Sequence, residues 1–406
     1  MKNIETVIVN EQHKEIVEKT AYSILISVAV AHMLNDLLQA VIPAAYPILK
    51  EKYDLSFAQI GLITFSYQMA ASILQPFVGF YTDKKPKPYS KIFGMLFTLS
   101  GIVLLAYASS FPLILVAVTL VGTGSSIFHP EASRVAYLAS GGKRGLAQSI
   151  FQIGGNMGTA ISPLLIAWIV VPNGQRYIVW FVAAVLLAIA VLARIGRWYK
   201  NHLDLTAKKK VALVNLPNLT PRQVTLSVII LLVLIISKYF YFAGLTSYFT
   251  FFLIEKFGVS VQDAQFHLFI FLLSVAAGTV LGGPLGDKFG RKYVIWFSVL
   301  GAAPFTLILP YVDLFWTSIL SVLIGVIISS AFPAILVYAQ ELLPKRLGMI
   351  SGLFYGFAFG MGGLGSAVLG YYADHHGIET VYRICAFLPL MGIIAWFLPN
   401  LKKKDK

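Results

Sequence analysis

Twelve apolar stretches, each long enough to cross a bilayer, leave this chain few folds to choose from. A hydrocarbon core takes roughly 20 apolar residues per helix. Read at that length, the spans fall at 22–48, 57–82, 90–109, 112–138, 145–170, 176–195, 224–254, 262–285, 292–311, 314–340, 347–372 and 379–399. Inside lipid every backbone N–H and C=O must be satisfied within the chain, so the spans are expected to be helices. The fold class is therefore an all-α membrane protein with twelve transmembrane helices. Composition agrees: 57% of residues are apolar and 12% charged, against about 45–50% and about 25% in soluble domains. The single Cys385 excludes an internal disulfide.

A net charge of +14 would point to nucleic acid in a soluble chain. Here the loops explain it, and no nucleic acid partner is expected. If the N-terminus is cytoplasmic, 26 of the 32 Lys and Arg lie in or beside loops on that same side. Positive charge concentrates on cytoplasmic loops, so both termini are expected there. The organisation that follows is a leader at 1–21 without a signal-peptide core, a six-helix half at 22–195, a basic linker at 196–222, a second half at 223–400 and a basic tail at 401–406.

The halves are related by an internal repeat. GFYTDKKPKP at 79–88 aligns with GPLGDKFGRK at 283–292, placing Asp83 and Asp287 204 residues apart. GKRG at 142–145 aligns with PKRLG at 344–348. Two homologous six-helix halves joined by a basic linker resemble the major facilitator transporters. GPLGDKFGRK is similar to the cytoplasmic loop signature of that superfamily, which marks Asp83, Gly286, Asp287, Gly290 and Arg291 as residues of a conformational loop. In the first copy Pro86 and Pro88 interrupt the pattern. HMLNDLLQ (32–39), GTGSSIFHPEASR (122–134), GLAQSIFQIGGNMG (145–158), SKYFYFAGLTSYF (237–249) and YAQELLPKR (338–346) resemble the fosmidomycin resistance proteins, drug exporters of bacterial inner membranes. That resemblance implies proton-driven efflux of a small anionic phosphonate antibiotic; a monomeric antiporter is expected. GGNMGTAISP at 154–163 is similar to the span-five stretch of antiporters in the superfamily, with Ser162 where a glycine is usual.

Ionisable groups inside a span cost about 2.5–3.5 kcal/mol each at the helix centre. The first half nevertheless carries several. Span one has His32, Asn35, Asp36 and Gln39 on one helical face, span four has His129, Glu131 and Arg134, and span five has Gln148, Gln152 and Asn156. At 1.5 Å per residue the three sets overlap at roughly 10–21 Å from the cytoplasmic entry. They are expected to converge on one cavity, with His32, Asp36, His129, Glu131 and Arg134 coupling protons and Asn35, Gln39, Gln152 and Asn156 facing substrate. Two plainer readings stand beside this one. Glu131 and Arg134 are i, i+3 neighbours that can neutralise each other, and the amides can serve as helix–helix hydrogen-bonding groups. In the second half Lys238 lies well inside span seven, with Tyr239 and Tyr241 close by. Its depth exceeds a lysine's snorkelling reach, so it is expected to attract an anionic substrate. Neither cofactor nor metal is expected, and no nucleophile elbow, zinc helix or phosphate-binding loop is present. Export by antiport competes with one reading on the same fold, import of an anionic metabolite by proton symport.

Overall fold

The computed structural model describes residues 20–206, 219–343 and 347–401. The leader, the middle of the linker, Lys345, Arg346 and the basic tail lie outside them. Twelve helices among the described residues are long and apolar enough to span a membrane. They are α1 (Tyr22–Tyr53), α2 (Phe57–Lys84), α3 (Ser90–Tyr107), α4 (Phe111–Leu138), α5 (Gly145–Val170) and α6 (Gln175–Leu203). The second set is α7 (Pro221–Phe257), α8 (Val261–Gly282), α9 (Arg291–Tyr311), α10 (Leu314–Leu342), α11 (Met349–His376) and α12 (Ile378–Phe397). Large apolar side chains such as Phe77, Phe93, Trp168, Trp180 and Phe397 stay exposed, as lipid-facing groups do in a helical membrane protein.

The helix ends repeat with the same period as the loop motif. Ser56 caps α2 by accepting from the Gln59 N–H, and 204 residues later Ser260 caps α8 by accepting from the Asp263 N–H. Each of those helices follows a left-handed residue, Asp54 at φ 48° and Gly258 at φ 67°. The copies part at the loop motif itself. The α8 helix continues to Phe289, and Gly290 at φ 99° turns straight into α9. Only glycine adopts that backbone readily. Pro86, at the corresponding place, has its φ fixed negative, and the connection between α2 and α3 is longer.

Within the first six helices α1 packs on α5 and α6, and α2 packs on α4. Two long seams join them to the last six, α2 against α11 and α5 against α8. Small residues let these helices approach closely: a β-carbon on Gly352 of α11 would lie 2.6 Å from the Gln75 carbonyl of α2. The α2–α11 seam is tied at both ends. Near the linker, Asp83 Oδ2 accepts from the Met349 N–H at 3.0 Å. At the opposite end, Asp374 accepts from the Phe57 and Ala58 N–H groups at 2.9 and 2.8 Å. Between these ties, on the axis between the two sets of helices, lies a cavity of about 180 Å³.

Candidate functional site

The first-half wall of the cavity is built around Asp36. His32 is one helical turn earlier on α1, and His129 comes from α4 beside Pro130. His32 Nδ1 lies 2.7 Å from the Phe151 carbonyl. A carbonyl only accepts, so Nδ1 carries a proton and Nε2 turns to Asp36 Oδ2 at 3.1 Å, within ion-pair range though out of line for a hydrogen bond. That approach is attractive only if a further proton is held by His32 or Asp36. His129 Nε2 approaches Asp36 Oδ1 at 3.4 Å, while its Nδ1 faces the Ser125 carbonyl at 3.2 Å. The Asn35 and Gln39 amides donate to the same Oδ1 at 2.9 and 3.1 Å. All three residues line the cavity; the His32 and His129 side chains are 3% and 1% exposed and Asp36 17%, so the carboxylate is the most open of the three. One nitrogen of each imidazole and a carboxylate oxygen of Asp36 lie within 4.8 Å of one another.

Rings from α11 close over this group. His129 meets Tyr355 and Phe359 at centroid distances of 5.3 and 5.1 Å. The Tyr355 hydroxyl accepts from Gln148 at 3.0 Å and donates to Gln152 Oε1 at 2.6 Å. The His32–Asp36–His129 group on α1 and α4 therefore makes direct ring contact with a helix of the second set.

Other residues expected at the site are distributed differently. Gln39, Gln152, Asn156 and Tyr239 line the cavity. Asn35 acts through Asp36 and does not line it. Lys238 is absent from the central lining but lines a smaller pocket that shares a wall with it. Tyr241 is buried off both pockets. Glu131 and Arg134 do not join the Asp36 group: Arg134 pairs with Asp83 and approaches Glu131 Oε1 at 3.2 Å. The reason is helical phase. Two residues at 100° each place Glu131 about 200° around α4 from His129, so the two face different neighbours. In the second half Arg291 pairs with Glu341 at 2.6 Å, the same loop-to-helix tie with the charges exchanged. A β-carbon added at Gly286 would lie 3.6 Å from the Arg291 side chain, and the Asp287 side chain lies outside those described. Tyr67, Gln68 and Tyr355 line the cavity but were not anticipated. They sit in strongly apolar stretches where nothing in their spacing distinguishes them.

Comparison with known proteins fits this architecture. The Major Facilitator Superfamily pattern matches residues 28–264 and again 231–406. The chain belongs to the major facilitator superfamily. A protein of Escherichia coli (strain K12) named Fosmidomycin resistance protein is 60% identical over 388 residues, covering 95% of each chain. An uncharacterised MFS-type transporter of Bacillus subtilis (strain 168) is 45% identical, covering 95% of this chain and 94% of its own. Among solved structures, an E. coli fucose:proton symporter aligns with a TM-score of 0.65 at 17% identity, covering 93% of this chain and 98% of that one. At that identity the likeness concerns the fold alone. The major facilitator chain described here is thus a multi-pass membrane transporter and not an enzyme.

Proposed function

We propose that this transporter is a proton-coupled antiporter. It exports a small anionic antibiotic of the fosmidomycin type across a bacterial inner membrane, as a monomer with both termini in the cytoplasm. The observation that carries the reading is the Asp36 carboxylate, flanked by His32 and His129 on the wall of a cavity between the two six-helix sets. The carboxylate and the two imidazoles lie in mutual contact, and this group touches α11 through Tyr355 and Phe359. A change in its proton content therefore acts on a seam that has to open for alternating access. The name of the E. coli relative supports the substrate class.

Charge attraction between a proton and an anion favours carrying both in the same direction, and by reciprocity each strengthens the other's binding. Antiport needs competition, and Asp36 supplies a place for it. A hydrogen-bond donor on the substrate that reaches Asp36 displaces the proton held between Asp36 and His32. The alternative, proton symport of an anionic metabolite, keeps both on the protein together.

Everted vesicles separate the two readings. An acid interior should drive fosmidomycin uptake without ATP, and adding fosmidomycin should release protons from the lumen. Asp36→Asn should abolish uphill uptake and leave substrate exchange intact. Fosmidomycin uptake indifferent to the proton gradient, or proton movement in the same direction as the drug, overturns antiport.

A further inference from the structure

Lys238 is 4% exposed, and among the described residues no carboxylate and no hydrogen-bond acceptor is paired with its ammonium. Its neighbours are the ring faces of Tyr239 and Phe332, 5.7 and 5.6 Å from Nζ. Cation–π contact offsets only part of the loss of hydration. A buried ammonium left this way is a site waiting for an anion, and a pocket lies beside it.

That pocket, about 50 Å³, is lined by Lys238 of α7, Asn156 of α5, Thr279 of α8 and Ser329 of α10, and no acidic residue lines it. Its volume has room for a few waters or one small oxyanion head. Asn156 spends one amide N–H on Thr279 Oγ1 at 2.6 Å, which leaves the other free to donate. The Ser329 hydroxyl reaches the Val326 carbonyl of its own helix at 3.2 Å, a long bond from which it can rotate. Thr279 already donates to the Val275 carbonyl, so it positions Asn156 and does not face the anion as a donor. Three sets of donors thus approach from three helices. Gln152, Asn156, Tyr239 and Phe332 line both this pocket and the central cavity.

We propose that the Lys238 pocket is the seat for a tetrahedral oxyanion head, a phosphonate or phosphate monoester, whose remainder lies in the central cavity facing Asp36. This rests on the transport reading above and deepens it. Three donors from different directions match the three oxygens of a phosphonate better than the two coplanar oxygens of a carboxylate. The seat draws Asn156 from the first six helices and Lys238 and Ser329 from the last six, so an occupied head group bridges them.

The test uses the full chain in lipid nanodiscs at fixed pH and salt, with propylphosphonate and butyrate as probes that differ only in the head. Affinities are read by ligand-observed NMR titration. Wild type should bind propylphosphonate more tightly than butyrate. Lys238→Met should weaken propylphosphonate at least about tenfold, Lys238→Arg should restore part of the loss, and Ser329→Ala should weaken the phosphonate more than the carboxylate. Lys238→Met removes a buried charge and should not cost folding, which thermal unfolding checks. Undetectable propylphosphonate binding in wild type, or equal affinity in wild type and Lys238→Met, overturns the seat. Failure of proton-driven fosmidomycin export in vesicles overturns the transport reading instead, so the two failures are told apart.

Discussion

Asp374, at the end of α11, accepts a hydrogen bond from the backbone N–H of Phe57, the first residue of α2, at 2.9 Å. The Ala58 N–H joins it at 2.8 Å, and Ser56 takes the Gln59 N–H. The open donors of the first turn of α2 are thereby satisfied from two sources, one on its own loop and one on the partner helix. At the other end of the antiparallel pair the relationship is reversed: Asp83, at the end of α2, accepts from Met349 in the first turn of α11.

These two carboxylates should act on opposite gates. An N-terminal cap is worth about 0.5–2 kcal/mol, which changes a two-state population by roughly 2- to 30-fold. Asp374→Ala should favour opening at the end away from the linker, and Asp83→Ala opening at the linker end. Distances between spin labels placed across each end report the change. A shift in the same direction for both variants would show that the ties do not define separate gates.

Gly155 leaves space that the Asp36 group uses. A β-carbon there would lie 2.5 Å from His32 Nε2 and 2.6 Å from Asp36 Oδ2. Both distances are below van der Waals contact, and the groups are anchored through their other atoms, His32 by Nδ1 and Asp36 by Oδ1, so the ring or the carboxylate has to move. Gly155→Ala should therefore produce a chain that inserts and binds substrate but loses at least about tenfold in proton-driven uptake, the scale of effect that a small misplacement of a working group produces. Uptake at the wild-type rate would mean that the His32–Asp36 spacing does not matter for coupling.

The span positions were legible because unbroken apolar stretches leave little choice: 112–138 was expected and Phe111–Leu138 is found. The sixth span was placed at 176–195 but its helix runs on to Leu203, because Arg194 and Arg197 interrupt hydropathy without interrupting helix. His32 with Asp36 could be read from their spacing of four. His129 joined them through the depth comparison, which tracks distance along the helix axis. That comparison ignores direction around the axis, and so it also gathered Glu131 and Arg134, which point elsewhere. Thr279 and Ser329 were not legible, since a hydroxyl bonded to its own helix is common in any membrane span and only the packing of α5, α7, α8 and α10 gives these two a pocket.

The orientation carried by the basic loops has a direct check. With both termini cytoplasmic, the linker between α6 and α7 is cytoplasmic as well. Leu205→Cys should resist a membrane-impermeant maleimide in intact cells and react once the cells are opened. The native Cys385 is buried and should stay silent in both cases. Labelling of position 205 in intact cells would reverse the assigned orientation.

Glu131 offers a different kind of prediction, because its geometry favours a structural role over proton coupling. Its side chain is 0% exposed, Arg134 Nη1 lies 3.2 Å away, and neither carboxylate oxygen has an aligned hydrogen bond. Arg134 in turn reaches Asp83, the residue that ties α2 to α11. Glu131→Gln removes one of the two carboxylates beside Arg134 and leaves the Asp83 pair in place, so it withdraws part of the compensation of a buried charge. Glu131→Gln should therefore lower the thermal unfolding midpoint in detergent and weaken the linker-end tie through Arg134. It should leave the stoichiometry of drug against proton unchanged in whatever protein survives. Wild-type stability in Glu131→Gln together with a complete loss of uphill transport would move the proton-carrying role from Asp36 to Glu131.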